Sequence, residues 1–181
     1  MKKRFKLNIG DVFTIPLNEI EVGFGQCVTA YNKESSGFGI AVFPLRQKKS
    51  ELVNIDVDSV VSNTPILSGY TFDAKLYYND WIIIGNSTKN IQDIKFPYTK
   101  LGLPPNDMYI VDPHGNILSM ISEDIFNSLL YRTDYAPIRF ENALKAHFGL
   151  QEWLHRSFDN LLYENTLKSI EIAQKISTKN M

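Results

Sequence analysis

Cys27 and the three histidines, His114, His147 and His155, are the residues best equipped for nucleophilic or metal chemistry in this chain. A thiol becomes a nucleophile when a histidine, a cation or a helix N-terminus lowers its pKa. Cys27 falls instead within a strand-like run, with no helix start beside it, and reads as a small buried apolar thiol. An enzyme using Cys27 with a histidine would need that thiol exposed and rapidly alkylated at neutral pH. His147 and His155 stand eight residues apart across Gly149, which places them on different helices, and His114 lies in a turn. No His-Glu-x-x-His or paired Cys-x-x-Cys spacing occurs, so no zinc site and no cofactor is expected. Two Gly-Phe-Gly triplets, Gly23-Phe24-Gly25 and Gly37-Phe38-Gly39, run into strands rather than into a helix start. Their glycines suit bending or close approach of strands, not a phosphate cradle. Asp56/Asp58 and Glu123/Asp124 read as a solvated edge and a helix start rather than as a general acid and base. The chain carries no catalytic constellation and is not expected to be an enzyme.

The distribution of charge is more informative. Residues 1 to 6 carry four positive charges and no negative one, and Arg46, Lys48 and Lys49 form a second basic cluster. Residues 51 to 80 hold Glu51, Asp56, Asp58, Asp73 and Asp80 against Lys75 alone, with Tyr70, Tyr77, Tyr78 and Trp81 interleaved or adjacent. Aromatic side chains among carboxylates suit an interface to a basic protein partner. Asp56, Asp58, Asp73, Tyr77, Tyr78 and Asp80 are therefore the candidate partner-binding residues. The alternative is a small barrel that binds nucleic acid through Lys2, Lys3, Arg4, Arg46, Lys48 and Lys49. A net charge of −1 and the lack of a basic-aromatic stacking motif weigh against it.

These residues must be positioned by a folded body. At 181 residues, with 44% hydrophobic and 22% charged, the chain lies far from disordered compositions, and a single cysteine excludes an internal disulfide. The basic N-terminus is not followed by a signal-peptide apolar stretch, and the run Trp81-Ile82-Ile83-Ile84 is too short to span a bilayer. A cytosolic protein without membrane contact is the simplest expectation.

Asp11 to Leu17 alternates Phe13, Ile15 and Leu17 against Val12 and Thr14, the period of a strand, and Pro16 limits it to an edge or an end. Val22 to Tyr31 and Phe38 to Leu45 predict a hairpin across the polar loop Asn32 to Gly37. Ile66 to Phe72 and Asp80 to Gly85 are further strand candidates. Asp107 to Ile121 reads as a late hairpin around Asp112-Pro113-His114-Gly115-Asn116. The proline-rich stretch Phe96 to Asn106 reads as a loop or boundary. Ser122 starts a short helix to about Leu130, Pro137 starts another that stops at Gly149, and a last helix is expected from about Gln151 to Ser177. In that last helix Leu154, Phe158, Leu161 and Leu162 form an apolar stripe, continued by Ile170, Ala173 and Ile176. The expected fold is α+β: a strongly bent antiparallel sheet or small barrel in the N-terminal two thirds, then packed helices. Residues 1–149 would form one domain, and residues 150–181 an additional helix.

The segment Asn8-Ile9-Gly10-Asp11-Val12-Phe13-Thr14-Ile15-Pro16-Leu17 resembles the opening of the immunity protein 26 family of bacterial polymorphic toxin systems. Val22-Gly23-Phe24-Gly25-Gln26-Cys27-Val28 and Trp81-Ile82-Ile83-Ile84-Gly85-Asn86 resemble later blocks of that family, and His147-Phe148-Gly149 a motif near its end. The resemblance spans residues 5 to 149. It implies a cytosolic antidote that binds a cognate toxin domain without catalysis. Many such toxins are nucleases with basic clefts, although the family does not fix the toxin's activity. The matched positions Gly10, Asp11, Phe13, Pro16, Gly23, Gly25, Trp81 and Gly85 read as structural. Oligomeric state stays open.

Overall fold

A computed structural model describes residues 7–29 and 37–179. Lys2, Lys3 and Arg4, and the polar loop over 32–36, lie outside the described residues. The described residues form one large and one small sheet with six α-helices around them. Strands β1 (Asp11–Pro16), β2 (Glu21–Thr29), β3 (Phe38–Lys48), β4 (Leu67–Thr71), β5 (Ile82–Asn86) and β9 (Asp134–Tyr135) build a six-stranded sheet in the order β5-β1-β2-β3-β4-β9. Strands β6 (Thr99–Leu103), β7 (Asp107–Val111) and β8 (Ile117–Met120) form the three-stranded meander. The helices are α1 (Val57–Val61), α2 (Ala74–Tyr77), α3 (Glu123–Ser128), α4 (Pro137–His147), α5 (His155–Phe158) and α6 (Tyr163–Lys179).

The α+β class and the bent antiparallel sheet agree with the sequence; a barrel does not form. β5 and β9 are the two ends of the large sheet and do not pair, so the sheet stays open. The short β9 also joins β4 in parallel, as Tyr70↔Asp134 and Thr71↔Tyr135. Register shifts between Val12 and Phe13, Gly23 and Phe24, and Cys27 and Thr29 mark bulges, which increase local twist without closing the sheet.

Both faces of this sheet are covered, which explains why β1 is buried along nearly its whole length. Phe13, Ile15, Cys27, Ile40 and Val42 face α4 through Phe140, Ala143 and Leu144, with Trp81 in the same cluster. Val12, Phe24, Val28, Ala41 and Phe43 face Val60 and Val61 of α1, together with Phe96 and Tyr163. The period of two in β1 therefore feeds two cores, not a core and a solvent face. Gly25 serves close approach: a Cβ there would lie 2.5 Å from the Phe13 ring. Gly149, with φ +72°, lets the chain leave α4 in the left-handed region.

Two boundaries differ from the sequence expectation. β6 occupies Thr99–Leu103 within the stretch read as a loop; its prolines flank the strand, and Gly102 takes a φ of +98°. The last helix begins at Tyr163, not Gln151, because α5 and a 3-10 turn over Asp159–Leu161 come first. Leu154, expected in its apolar stripe, is exposed. α6 buries Thr166 and Ser169, whose hydroxyls bond Ser68 and the Tyr98 amide, and Ala173, which joins the core under the small sheet.

Candidate functional site

The six candidate residues separate into two groups, set at opposite ends of β5. Asp56 caps α1, its carboxylate accepting the Asp58 amide at 3.0 Å, as expected of an N-cap aspartate. Asp58 accepts an ion pair from Lys89 at 2.7 Å, and this hydrogen bond holds its carboxyl below the usual range. Val57 packs over Gly85 near the end of β5, which fixes this group beside the strand's exit.

The other group surrounds α2. Asp73 precedes the helix, Tyr77 closes it, and Tyr78 and Asp80 lie in the turn into β5. Asn79, with φ 59°, makes that turn, and the amides of Asp80 and Trp81 both donate to the Lys75 carbonyl, at 2.8 and 3.0 Å. Tyr77 and Tyr78 meet edge to face with ring centroids 5.1 Å apart, and they are 48% and 72% exposed. Those fractions leave most of the aromatic surface available to a partner. Lys75 pairs with Asp80 at 3.0 Å and reaches the buried Glu141 of α4 at 3.4 Å. Burial alone would lower the Lys75 pKa, but the two carboxylates outweigh it and hold the ammonium above its ordinary value. This link ties the α2 turn to the helical layer.

Trp81, one residue further on, is buried and stacks on Phe13 with centroids 5.1 Å apart and planes 7° from parallel. It belongs to the core and not to the patch.

Sequence reasoning missed three features. Gln26 is completely buried, where its amide donates to the Ser87 carbonyl and pairs reciprocally with Asn90. The outer side of the small sheet exposes Leu101, Leu103 and Met120, a pattern visible only once β6 is recognised as a strand. A cavity of about 230 Å³ lies between the sheets and α6, lined by Tyr70, Tyr98, Tyr131, Tyr135 and Arg132. Arg132 is already engaged, stacked over Tyr70 at 4.1 Å and donating to the Pro113 carbonyl at 3.3 Å.

Cys27 is buried, and its thiol donates to the Thr29 carbonyl at 3.5 Å. Burial first, and then the charge of Asp11, push its thiol up to about 12. Iodoacetamide at pH 7.5 is therefore expected to label Cys27 only after denaturation. Labelling of the native protein at the rate of a free thiol would contradict this burial. The shift also fixes a pH dependence: the folded thiol stays protonated where the unfolded one ionises. Its stabilising contribution is complete below 9.0 and is lost as pH rises towards about 12.

Among the described residues, no group of three or more His, Cys, Asp or Glu could hold a metal ion, and no helix is long and apolar enough to cross a membrane. Of the basic residues in the nucleic-acid alternative, Arg46 lies 3.9 Å from Glu21 and over the Phe148 ring, and the barrel that reading requires is absent.

Searches of curated proteins and of solved structures find no match. Residues 8–107 match the family described as Immunity protein 26, from three residues before β1 through β5 and β6 to the first residue of β7. His147-Phe148-Gly149 lies beyond the matched span. That span covers more than half of the chain and contains the whole β5-β1-β2-β3-β4 array with both candidate groups, and on this ground the chain belongs to the immunity protein 26 family.

Proposed function

We propose that this chain is a cytoplasmic immunity protein that neutralises a cognate toxin domain by stoichiometric binding, without catalysis. Membership of the immunity protein 26 family is the observation that carries this reading. The partner would be basic, as a nuclease domain would be, and would contact Asp56, Asp58, Asp73, Tyr77, Tyr78 and Asp80. Support for that surface comes from its chemistry: four carboxylates against Lys75 and Lys89, with two exposed tyrosines beside them. Such a surface accelerates encounter with a basic partner more than it holds the complex together.

The test asks first whether a long secreted protein is encoded immediately beside this chain's gene, and then uses the C-terminal domain of that protein. Co-expression of the two should rescue growth, and they should co-purify in a fixed ratio. Reversing Asp56, Asp58, Asp73 and Asp80 to Lys should slow association about 10- to 100-fold at low salt, with much of the difference vanishing at high salt. Since Asp56 caps α1, Asp56→Asn retains the cap and separates lost charge from a loosened helix. Unchanged affinity of the quadruple variant at low salt would remove this surface from the interface while leaving the immunity reading intact.

A further inference from the structure

Among the described residues, β5 has a strand partner on one side only. It stands at the end of the large sheet, paired with β1 through Thr14↔Ile82, Phe13↔Ile83 and Val12↔Gly85. Its residues are exposed or half-buried throughout, whereas those of the neighbouring β1 are almost all buried. The strand contains no charge and no proline, two of the devices that protect an open edge, although it is short and carries a bulge against β1. Ile82 is 57% exposed and follows the turn that carries Tyr78.

The direction of the free main-chain groups follows from the hairpin. The Leu17 amide donates to the Glu21 carbonyl at 3.1 Å, closing the β1–β2 pair. Along an antiparallel strand, alternate residues turn their amide and carbonyl to opposite sides. Phe13 and Ile15 therefore bond towards β2, and Thr14 towards β5. Ile82, opposite Thr14, turns to β1, which leaves Ile83 presenting its amide and carbonyl outwards. Beyond the bulge the Ser87 amide returns to the Gly10 carbonyl at 2.9 Å, so Asn86 faces outwards as well.

We propose that the toxin docks by strand addition, an extended segment of it pairing with the open edge of β5. This rests on the immunity reading above. The charges choose the occupant: Asp73 and Asp80 stand at the entry of β5, Asp56 and Asp58 at its exit, and Lys75 and Lys89 leave these ends with a net charge of −2. The strand between them is neutral and apolar. Entry and exit are about 13 Å apart at the rise of a strand, so the segment would carry basic residues roughly four positions apart with apolar residues between them. Main-chain bonds would supply affinity, and the acidic ends register.

The experiment uses the full chain and the neighbouring toxin domain with its activity removed by mutation. The Ile83 amide should exchange with deuterium at least about tenfold more slowly in the complex than in the free chain. Ile83→Ala keeps the outward amide and should bind within about threefold of wild type, whereas Ile83→Pro removes it without breaking a bond to β1 and should weaken binding about 100-fold. Thermal melting shows whether both variants fold; if the proline variant does not, exchange in the wild-type complex decides. Binding with no slowing at Ile83, or equal affinity of folded Pro and Ala variants, overturns strand addition and leaves the immunity reading standing. Failure of the wild-type chain to bind the domain overturns both.

Discussion

Trp81→Ala should destabilise the protein by about 3–5 kcal/mol, a large part of the roughly 5–15 kcal/mol that holds a domain of this kind folded. The ring is 1% exposed and lies flat on Phe13 at 5.1 Å, in the core that also contains Leu76 and the α4 residues Phe140 and Leu144. Truncation would remove that stack and leave a cavity at the junction of sheet and helix. At about 2–4 °C per kcal/mol for a chain of this size, melting should fall by at least about 6 °C. Trp81→Phe should cost much less, about 1 kcal/mol. Among the described residues the indole N–H meets no hydrogen-bond partner, so phenylalanine sacrifices area but none of the polar contacts they supply. Equal losses for Ala and Phe would show that the indole nitrogen has a role that packing does not explain. A second consequence reaches the candidate interface. The Trp81 amide bonds the Lys75 carbonyl and helps to close the turn carrying Tyr77, Tyr78 and Asp80. Loosening the ring should thus raise hydrogen exchange in residues 74–80 before the rest of the protein unfolds.

The ring stack illustrates what a sequence of this kind discloses. Alternation in residues 11 to 17 reveals β1, and turn chemistry in residues 112 to 116 reveals the last hairpin, since both signals are local. The family resemblance is legible in residues 8–17, 22–28 and 81–86, and the family match covers residues 8–107. Closure is not local. Whether β5 meets another strand depends on pairings across the sheet, and those leave it an edge. β6 is hidden because prolines and a glycine usually signal a loop, although here the prolines border a short edge strand and Gly102 lies within it. The acidic and aromatic composition of residues 51 to 80 was plain, but its division into two groups was not. That division arises because β4 separates Asp58 from Asp73 in the chain, while β5 then returns towards α1. Polar residues in the core are the hardest to anticipate: Thr166, Ser169 and Gln26 look solvent-facing by type, and only their partners explain their burial.

Gln26→Leu should lower stability by about 2–3 kcal/mol, although it replaces a fully buried polar side chain with an apolar one of similar size. Burial of leucine is favourable in itself, so the sign depends on what the amide leaves behind. Gln26 Nε2 donates to the Ser87 carbonyl at 2.8 Å and to Asn90 Oδ1 at 3.0 Å, and Gln26 Oε1 accepts from Asn90 Nδ2 at 2.9 Å. Leucine would strand the Ser87 carbonyl inside the protein and deprive Asn90 of both contacts. Asn90 is only half-buried and can turn towards water, which keeps the expected loss below that of a sealed network. Asn90→Ala should consequently cost less than Gln26→Leu, and the double variant should show a coupling of about 1–2 kcal/mol. Urea unfolding of the four proteins measures this directly, and additive losses would refute the reciprocal amide pair. The same amides anchor the loop that carries Lys89, the partner of Asp58 at 2.7 Å. Releasing that loop would weaken the Lys89 ion pair and expose the Asp58 carboxylate at the exit of β5. The Gln26 variant should therefore be less stable yet meet a basic partner at least as fast as wild type, separating the contribution of this buried amide to folding from the contribution of surface charge to encounter.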